Sequence, residues 1–230
     1  MFENACDEVF EGNALTDIDE IMLWRASYHF DGEQFLEGNA NLVEWKKSAK
    51  KALENDIIKQ ARFEIGHALH GVQDFYSHSN WIELGNKEPM AGLGNAEGFD
   101  NVPLAGPDTP TCKPCPGYPE EVCTDNIITD KLTSGYYAEG QVDAQGAPVQ
   151  KTPGSGKCSH GGVSDTSAYI NPIGGINKDN YQDEHGHLYE QAAAVAELGT
   201  VQYLTEFRHD IGDELFEKFV GLSDFDASAC

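Results

Sequence analysis

Basic residues are scarce in this chain: 15 Lys and Arg stand against 39 Asp and Glu in 230 residues, a formal charge of −24. A surface so short of cations repels phosphate backbones and anionic membranes at long range, which argues against nucleic acid as a partner. No basic stripe contradicts that reading. A run of 18 apolar residues is also missing, so no transmembrane segment is expected. No signal-peptide pattern opens the sequence, so an exported protein would be a mature form, with Met1 belonging to expression. The common catalytic signatures are absent too. There is no His-Glu-x-x-His, no Gly-x-Ser-x-Gly elbow, and no phosphate-cradling glycine loop with a lysine after a strand. A di-iron bundle needs two Glu-x-x-His motifs, and Glu64-Ile-Gly-His67 supplies one.

The excess of acid has a plain reading as a solubilising surface, and is also compatible with several bound divalent cations. Six cysteines are present: Cys6, Cys112, Cys115, Cys123, Cys158 and Cys230. An even count, with four in a Gly/Pro-rich region, points to disulfides and an oxidising compartment, hence a secreted, extracellular or periplasmic location. The rival is a structural zinc site at Cys112-Lys-Pro-Cys115, completed by Cys123, Cys158 or His160.

The first eighty residues read as helices. Thr16-Asp-Ile-Asp19 is a helix cap before Ile21, Met22, Leu23 and Trp24, and that helix should run to about His29 before the Asp31-Gly32 break. A second helix fits Asn39–Leu53, and a third Asp56–Asn80, with Ile65, Ala68, Leu69, Val72, Phe75 and Tyr76 on its apolar side. From Gly85 to Glu184 periodicity is lost, with a hint of helix at Glu120–Leu132. So long an irregular segment needs staples, either disulfides or metal ligands. Helix returns at His185–Arg208, with Leu188, Ala192, Val195, Ala196, Leu198, Val201 and Leu204 as its apolar set, and at Gly212–Leu222. The fold class is therefore all-α, a bundle-like single domain over residues 1–230 with a stapled loop excursion at residues 85–184.

The third helix carries the chemistry. At ~100° per residue, His70, Asp74 and His78 fall within an arc of about 80°, with His67 inside it and the large apolar residues mostly opposite. Spacing of i, i+4 stacks side chains on one face, and imidazole and carboxylate are ligands that zinc accepts at about 2.0–2.2 Å. A solvated polar face would be the plain alternative, but the polar faces elsewhere in this chain use residues such as Lys46, Lys47, Lys50 and Lys51. Further candidates are His29 and Asp31 at the end of the first helix, His160 in Cys158-Ser-His160-Gly-Gly, and His185 and His187 at the start of the fourth, with Glu190 following. His209 reads as surface.

The stretch Gly66-His-Ala-Leu-His70-Gly-Val-Gln-Asp74-Phe-Tyr-Ser-His78-Ser-Asn80-Trp81-Ile-Glu83-Leu resembles the signature of the Het-C (heterokaryon incompatibility) family, fungal proteins with relatives in bacteria and in animal proteins carrying von Willebrand A domains. His29-Phe-Asp31, Lys131–Tyr137, Lys157–Gly162, Gly174–Lys178 and His185-Gly-His187 extend the similarity over nearly the whole chain. Het-C domains are in turn distantly similar to zinc-dependent phospholipases C and single-strand nucleases, all-helical enzymes with a trinuclear zinc cluster. The resemblance implies that His70 and Asp74 bind paired zincs with Asp74 bridging, that His29 and Asp31 add ligands to the pair, and that His78 binds a third zinc with His185 or His187. The spacing departs from those enzymes: Asp74 and His78 are four positions apart with three residues between, where the enzymes place five.

The expected function is a zinc-dependent phosphodiester hydrolase, phospholipase C-like, with two or three zinc ions activating water against a phospholipid or other phosphodiester. Asp74 would hold the metals, and Asp31 or another free carboxylate would orient the water. The alternative is a non-catalytic, metal-stabilised recognition, incompatibility or adhesion module.

Overall fold

The computed structural model describes residues 2–162 and 165–222. It is all-α: helices α1 (Phe2–Ile18), α2 (Glu20–Leu23), α3 (Phe35–Glu54), α4 (Ile58–His78), α5 (Tyr189–Ile211) and α6 (Asp213–Val220). Among the described residues there is no strand ladder, only isolated bridges. Helix α4 is the central strut, with α1, α3 and α5 packed around it. Its apolar side is the predicted one, for Ala61, Ile65, Ala68, Leu69, Val72, Phe75 and Tyr76 are all buried.

Three corrections concern the helices. The predicted first helix is instead the end of α1, the short α2 and a 3-10 turn at Ala26–Tyr28. Asp19 does act as a cap, accepting hydrogen bonds from the N–H groups of Ile21 and Met22. On α5 the buried stripe is Ala192, Val195, Gly199, Tyr203 and Phe207, while Leu198 and Val201 face outward. Gly199 sets this rotation: a Cβ there would lie 2.7 Å from the Tyr76 ring, so the bare backbone faces α4. The hinted helix at residues 120–132 does not form. A disulfide between Cys115 and Cys123 closes that loop tightly, and prolines at 116 and 119 remove two N–H donors.

The long excursion is stapled, as expected, by disulfides: Cys112–Cys158 and Cys115–Cys123. All four cysteines of the rival zinc reading are consumed by them. Cys6 is exposed on α1, and Cys230 lies outside the described residues. A second kind of staple was not anticipated: buried lysines. Lys178 Nζ donates to the carbonyls of Ser79 and Ile176 and to Glu83. Lys157 Nζ donates to Glu33 and to the Gly106 carbonyl. Lys151 Nζ donates to Ser159 Oγ and the carbonyls of Ile170 and Pro172. Lys178 and Lys151 each meet three acceptors and Lys157 two, one of them a carboxylate, which is what makes their burial tolerable. Bridges Ser79–Ser134, Tyr136–Ser159 and Ser159–Gly175 then carry the backbone from the end of α4 into the excursion.

Two glycines bring α1 and α4 into close contact. A Cβ on Gly66 would fall 2.3 Å from the Val9 carbonyl oxygen, and one on Gly12 would fall 2.6 Å from that of Phe63. Backbone atoms cannot yield as a flexible side chain can. We expect Gly66→Ala to destabilise the domain by about 1–3 kcal/mol, read from the urea midpoint. An unchanged midpoint would mean that the two helices are not in contact here.

Candidate metal centre

Close packing of α1 on α4 delivers Asp17, at the end of α1, to His70. Gly71 then lets the Tyr28 carbonyl pass over α4, since a Cβ there would meet it at 3.0 Å, and His29 follows directly. Phe30, in the left-handed region at φ 56°, drives its ring into the core against Phe35, Phe75 and Phe99. His29 and Asp31, on either side of it, both line one pocket of about 410 Å³.

Two groups of donors meet there. In the first, His70 Nε2 lies 3.2 Å from His29 Nδ1 and 3.3 Å from Asp17 Oδ1, and His29 Nδ1 lies 3.8 Å from Asp17 Oδ1. Asp74 Oδ2 adjoins the same two imidazoles at 2.9 and 3.0 Å. Donors about 2.0 Å from a tetrahedral zinc are about 3.3 Å from one another, the spacing found here. The remaining nitrogen of His29 faces the Met22 carbonyl at 3.3 Å, which would orient the ring.

The second group is Asp31, His78 and His160. Asp31 Oδ1 is 3.2 Å from His78 Nδ1 and 3.6 Å from His160 Nε2. Gln141 Nε2 donates to the other oxygen of Asp31 at 2.6 Å, fixing the carboxylate. His160 Nδ1 faces the Gly161 carbonyl at 2.8 Å, which favours the tautomer with its proton there and a bare lone pair on Nε2. Asp31 Oδ1 and His160 Nε2 are buried and without a hydrogen-bond partner among the described residues. Such atoms are costly unless something binds them. Asp179 Oδ2 reaches His78 Nε2 at 3.4 Å from the pocket rim, and the Tyr137 ring stacks on His160.

Asp17, Asp31, Asp74 and Asp179 all line the pocket. Four carboxylates carry −4, which two divalent ions would balance. Without metal, protons take that role. Burial alone would lower the pKa of His70, but Asp74 and Asp17 outweigh it and raise it to about 10. His78 is likewise raised well above its ordinary value: burial is opposed and overcome by Asp74, Asp179 and Asp31. For Asp74 burial pushes upward, yet the neighbouring His70 and His78 hold it well below the carboxylate range.

Residues 1–217 match the family model of the VWA7 N-terminal domain. The chain belongs to that family. It is 36% identical over 231 residues to von Willebrand factor A domain-containing protein 7 of Mus musculus, and equally so to the proteins of that name from Rattus norvegicus and Homo sapiens. Each alignment covers 96% of this chain but 24% of the relative, so the chain spans about a quarter of the length of the curated relatives it matches. No solved structure matches it. The expected Het-C membership is thereby corrected to the VWA7 N-terminal domain family, and no Het-C or phospholipase C family is matched. Ligand spacing on one helix is a local requirement of metal geometry and does not separate families; a match over 217 residues does.

Of the predicted site residues, His29, Asp31, His70, Asp74, His78 and His160 come together. His185 and His187 do not. Both nitrogens of His185 are engaged, by Glu83 at 2.6 Å and Asn126 at 2.7 Å, in the buried Lys178 network. His187 is exposed. His78 therefore meets Asp31, Asp179 and His160 rather than a histidine of the fourth helix. Asp31 belongs to the second group, not with His70. His67 turns from the pocket to Thr16 Oγ1, 3.0 Å away, and His209 is on the surface as expected. Sequence reasoning missed Asp17, Asp179, Gln141 and Tyr137. Asp17 sits inside the segment read as a cap, and Asp179 directly follows the Gly174–Lys178 motif.

A pH dependence follows for the metal-free protein. His70 rises from 6.5 to about 10, so its contribution to stability is fully present below pH 6.5 and is lost as pH climbs through about 10. Asp74 is depressed, so its contribution holds above pH 3.8 and fades as pH falls further. The chelator-treated domain should have its highest urea midpoint between these limits and lose stability between pH 6.5 and 10. A divalent ion held by these donors would compete with those protons, so added zinc should restore stability most at the alkaline end. A midpoint that climbs through that range without metal would contradict the coupling.

Proposed function

We propose that this domain is a zinc-dependent phosphodiester hydrolase, phospholipase C-like, with one ion at each donor group. The observation that carries the proposal is the pair of buried atoms without hydrogen-bond partners, Asp31 Oδ1 and His160 Nε2, on residues that line a pocket shared with Asp17, His29 and Asp74, with His70 directly behind them. Three protein donors per ion leave a further coordination position, the pattern of catalytic rather than structural zinc. Bound zinc would supply Lewis acidity toward a phosphoryl oxygen and activation of water near neutral pH.

In this reading Asp17, His29 and His70 hold one ion with Asp74 beside it, and Asp31, His78 and His160 hold the other. Gln141 and the Gly161 carbonyl fix the orientation of Asp31 and His160. Asp31 is thus a ligand rather than the water-orienting base, and Asp179, half exposed beside His78, takes the latter role. A pocket lined by four carboxylates would reject a phosphodiester unless the ions invert the local field. The two disulfides support an extracellular or periplasmic setting.

A second reading is a non-catalytic module that metal holds in shape. It is favoured by the origin of the second group, which joins His160 of the excursion to the helical core, and by the chain covering 24% of relatives named for another domain. Elemental analysis and hydrolysis of bis(p-nitrophenyl) phosphate separate the two. We expect about two zinc ions per chain, falling to about one in His160→Ala, and hydrolysis reduced on the order of 100-fold in His160→Ala and Asp31→Asn. Stoichiometric zinc without hydrolysis would favour the module, and undiminished hydrolysis by chelated protein would sink the enzyme reading.

A further inference from the structure

Residues 17–24, from the last residues of α1 through α2, form one lip of the metal pocket, and Asp17, Leu23 and Trp24 line it. On its outer side Ile18 is 70% exposed, Ile21 72% and Trp24 43%, with Met22 and Leu23 half-buried. None of these joins the hydrophobic core. Nor is the lip loosely held. Asp19 caps α2, the Trp24 ring covers Gly140, where a Cβ would fall 2.5 Å away, and the Trp24 carbonyl accepts the Val142 N–H. Exposed apolar side chains gathered on a fixed edge mark a contact surface.

Charge decides among occupants. Asp17, Asp19 and Glu20, all exposed, are interleaved with the apolar tips. A second copy docking by the same face would bring like charges together. An anionic bilayer would meet both this ring and the overall charge of −24. A zwitterionic phospholipid surface is complementary: its ammonium groups lie outermost, its phosphates below, and its acyl region accepts Ile and Trp side chains.

We propose that residues 18–24 dock the domain on zwitterionic phospholipid surfaces and so present the metal pocket to the headgroups. The inference rests on the hydrolase reading for the fate of the lipid, and on the lip for the docking itself.

The test is co-sedimentation of zinc-loaded protein with phosphatidylcholine vesicles and with phosphatidylserine-rich vesicles, for wild type and Ile18→Ser/Ile21→Ser. Neither isoleucine lines the pocket. Wild type should bind phosphatidylcholine vesicles and bind the anionic ones less. The double variant should lose about tenfold or more in vesicle affinity, with zinc content and soluble-diester hydrolysis unchanged. No wild-type binding, or equal binding by the variant, overturns the docking. A wild-type dimer in light scattering that the variant abolishes gives this face to a second copy and overturns it too. Vesicle binding that persists while no diester is hydrolysed leaves the docking standing and removes the hydrolase reading alone.

Discussion

The carboxylates of Asp31 and Asp74 and the imidazoles of His29, His70, His78 and His160 are crowded together with little access to water. Burial on that scale is tolerated only if each charge meets an opposite one and each polar atom a partner. Protons can meet part of the demand, which is why His70 and His78 are raised and Asp74 is lowered. They do not meet all of it: Asp31 Oδ1 and His160 Nε2 remain without partners. A divalent cation would satisfy both at once, because it needs several donors and those donors need a positive charge. The rest of the fold can be understood as the means of holding this unfavourable collection in place.

Helix packing and loop stapling share that task. The glycine contacts between α1 and α4 set the position of Asp17, and Gly71 admits the turn that carries His29. Phe30 locks the same turn to the core from the other side. His160 comes from a segment with little regular hydrogen bonding of its own. It is fixed by the Cys112–Cys158 disulfide two residues away, by backbone bonding to Tyr136, and by Lys151 gripping its neighbour Ser159. Buried lysines serve here as multidentate staples, since an ammonium can gather several carbonyls from segments distant in sequence. A chain with few cations spends three of them in this way.

Much of the helical frame was legible in advance. The 3.6-residue period located α3, α4 and α5 to within a few residues, and the capping Asp19 marked the start of α2, because those signals are local. The His/Asp face of α4 was legible for the same reason: His70, Asp74 and His78 need only a helix to align. His29, Asp31 and His160 could be named as donors from their residue types, but residue type does not allot them to a group, and the resemblance placed Asp31 with His70 where the structure sets it with His78 and His160. Asp17 was read as part of a helix cap, and Asp179 was passed over within the irregular segment, because an exposed aspartate carries no local mark of what it faces. His185 misled for the converse reason, since a histidine consumed by a buried Glu–Lys network looks in sequence like one awaiting a metal.

The sequence by itself determined the all-α class, the acidic balance, the need for staples in the long excursion and the donor stripe of α4, all of which follow from composition and short-range periodicity. Only the tertiary structure decided that the donors divide into two groups, that Asp17 and Asp179 complete the pocket, and that an apolar lip borders it. Those outcomes depend on which backbones can approach across tens of residues. Such approaches are governed by single glycines, disulfide pairings and the need to pair buried charge, none of which has a signature in neighbouring residues.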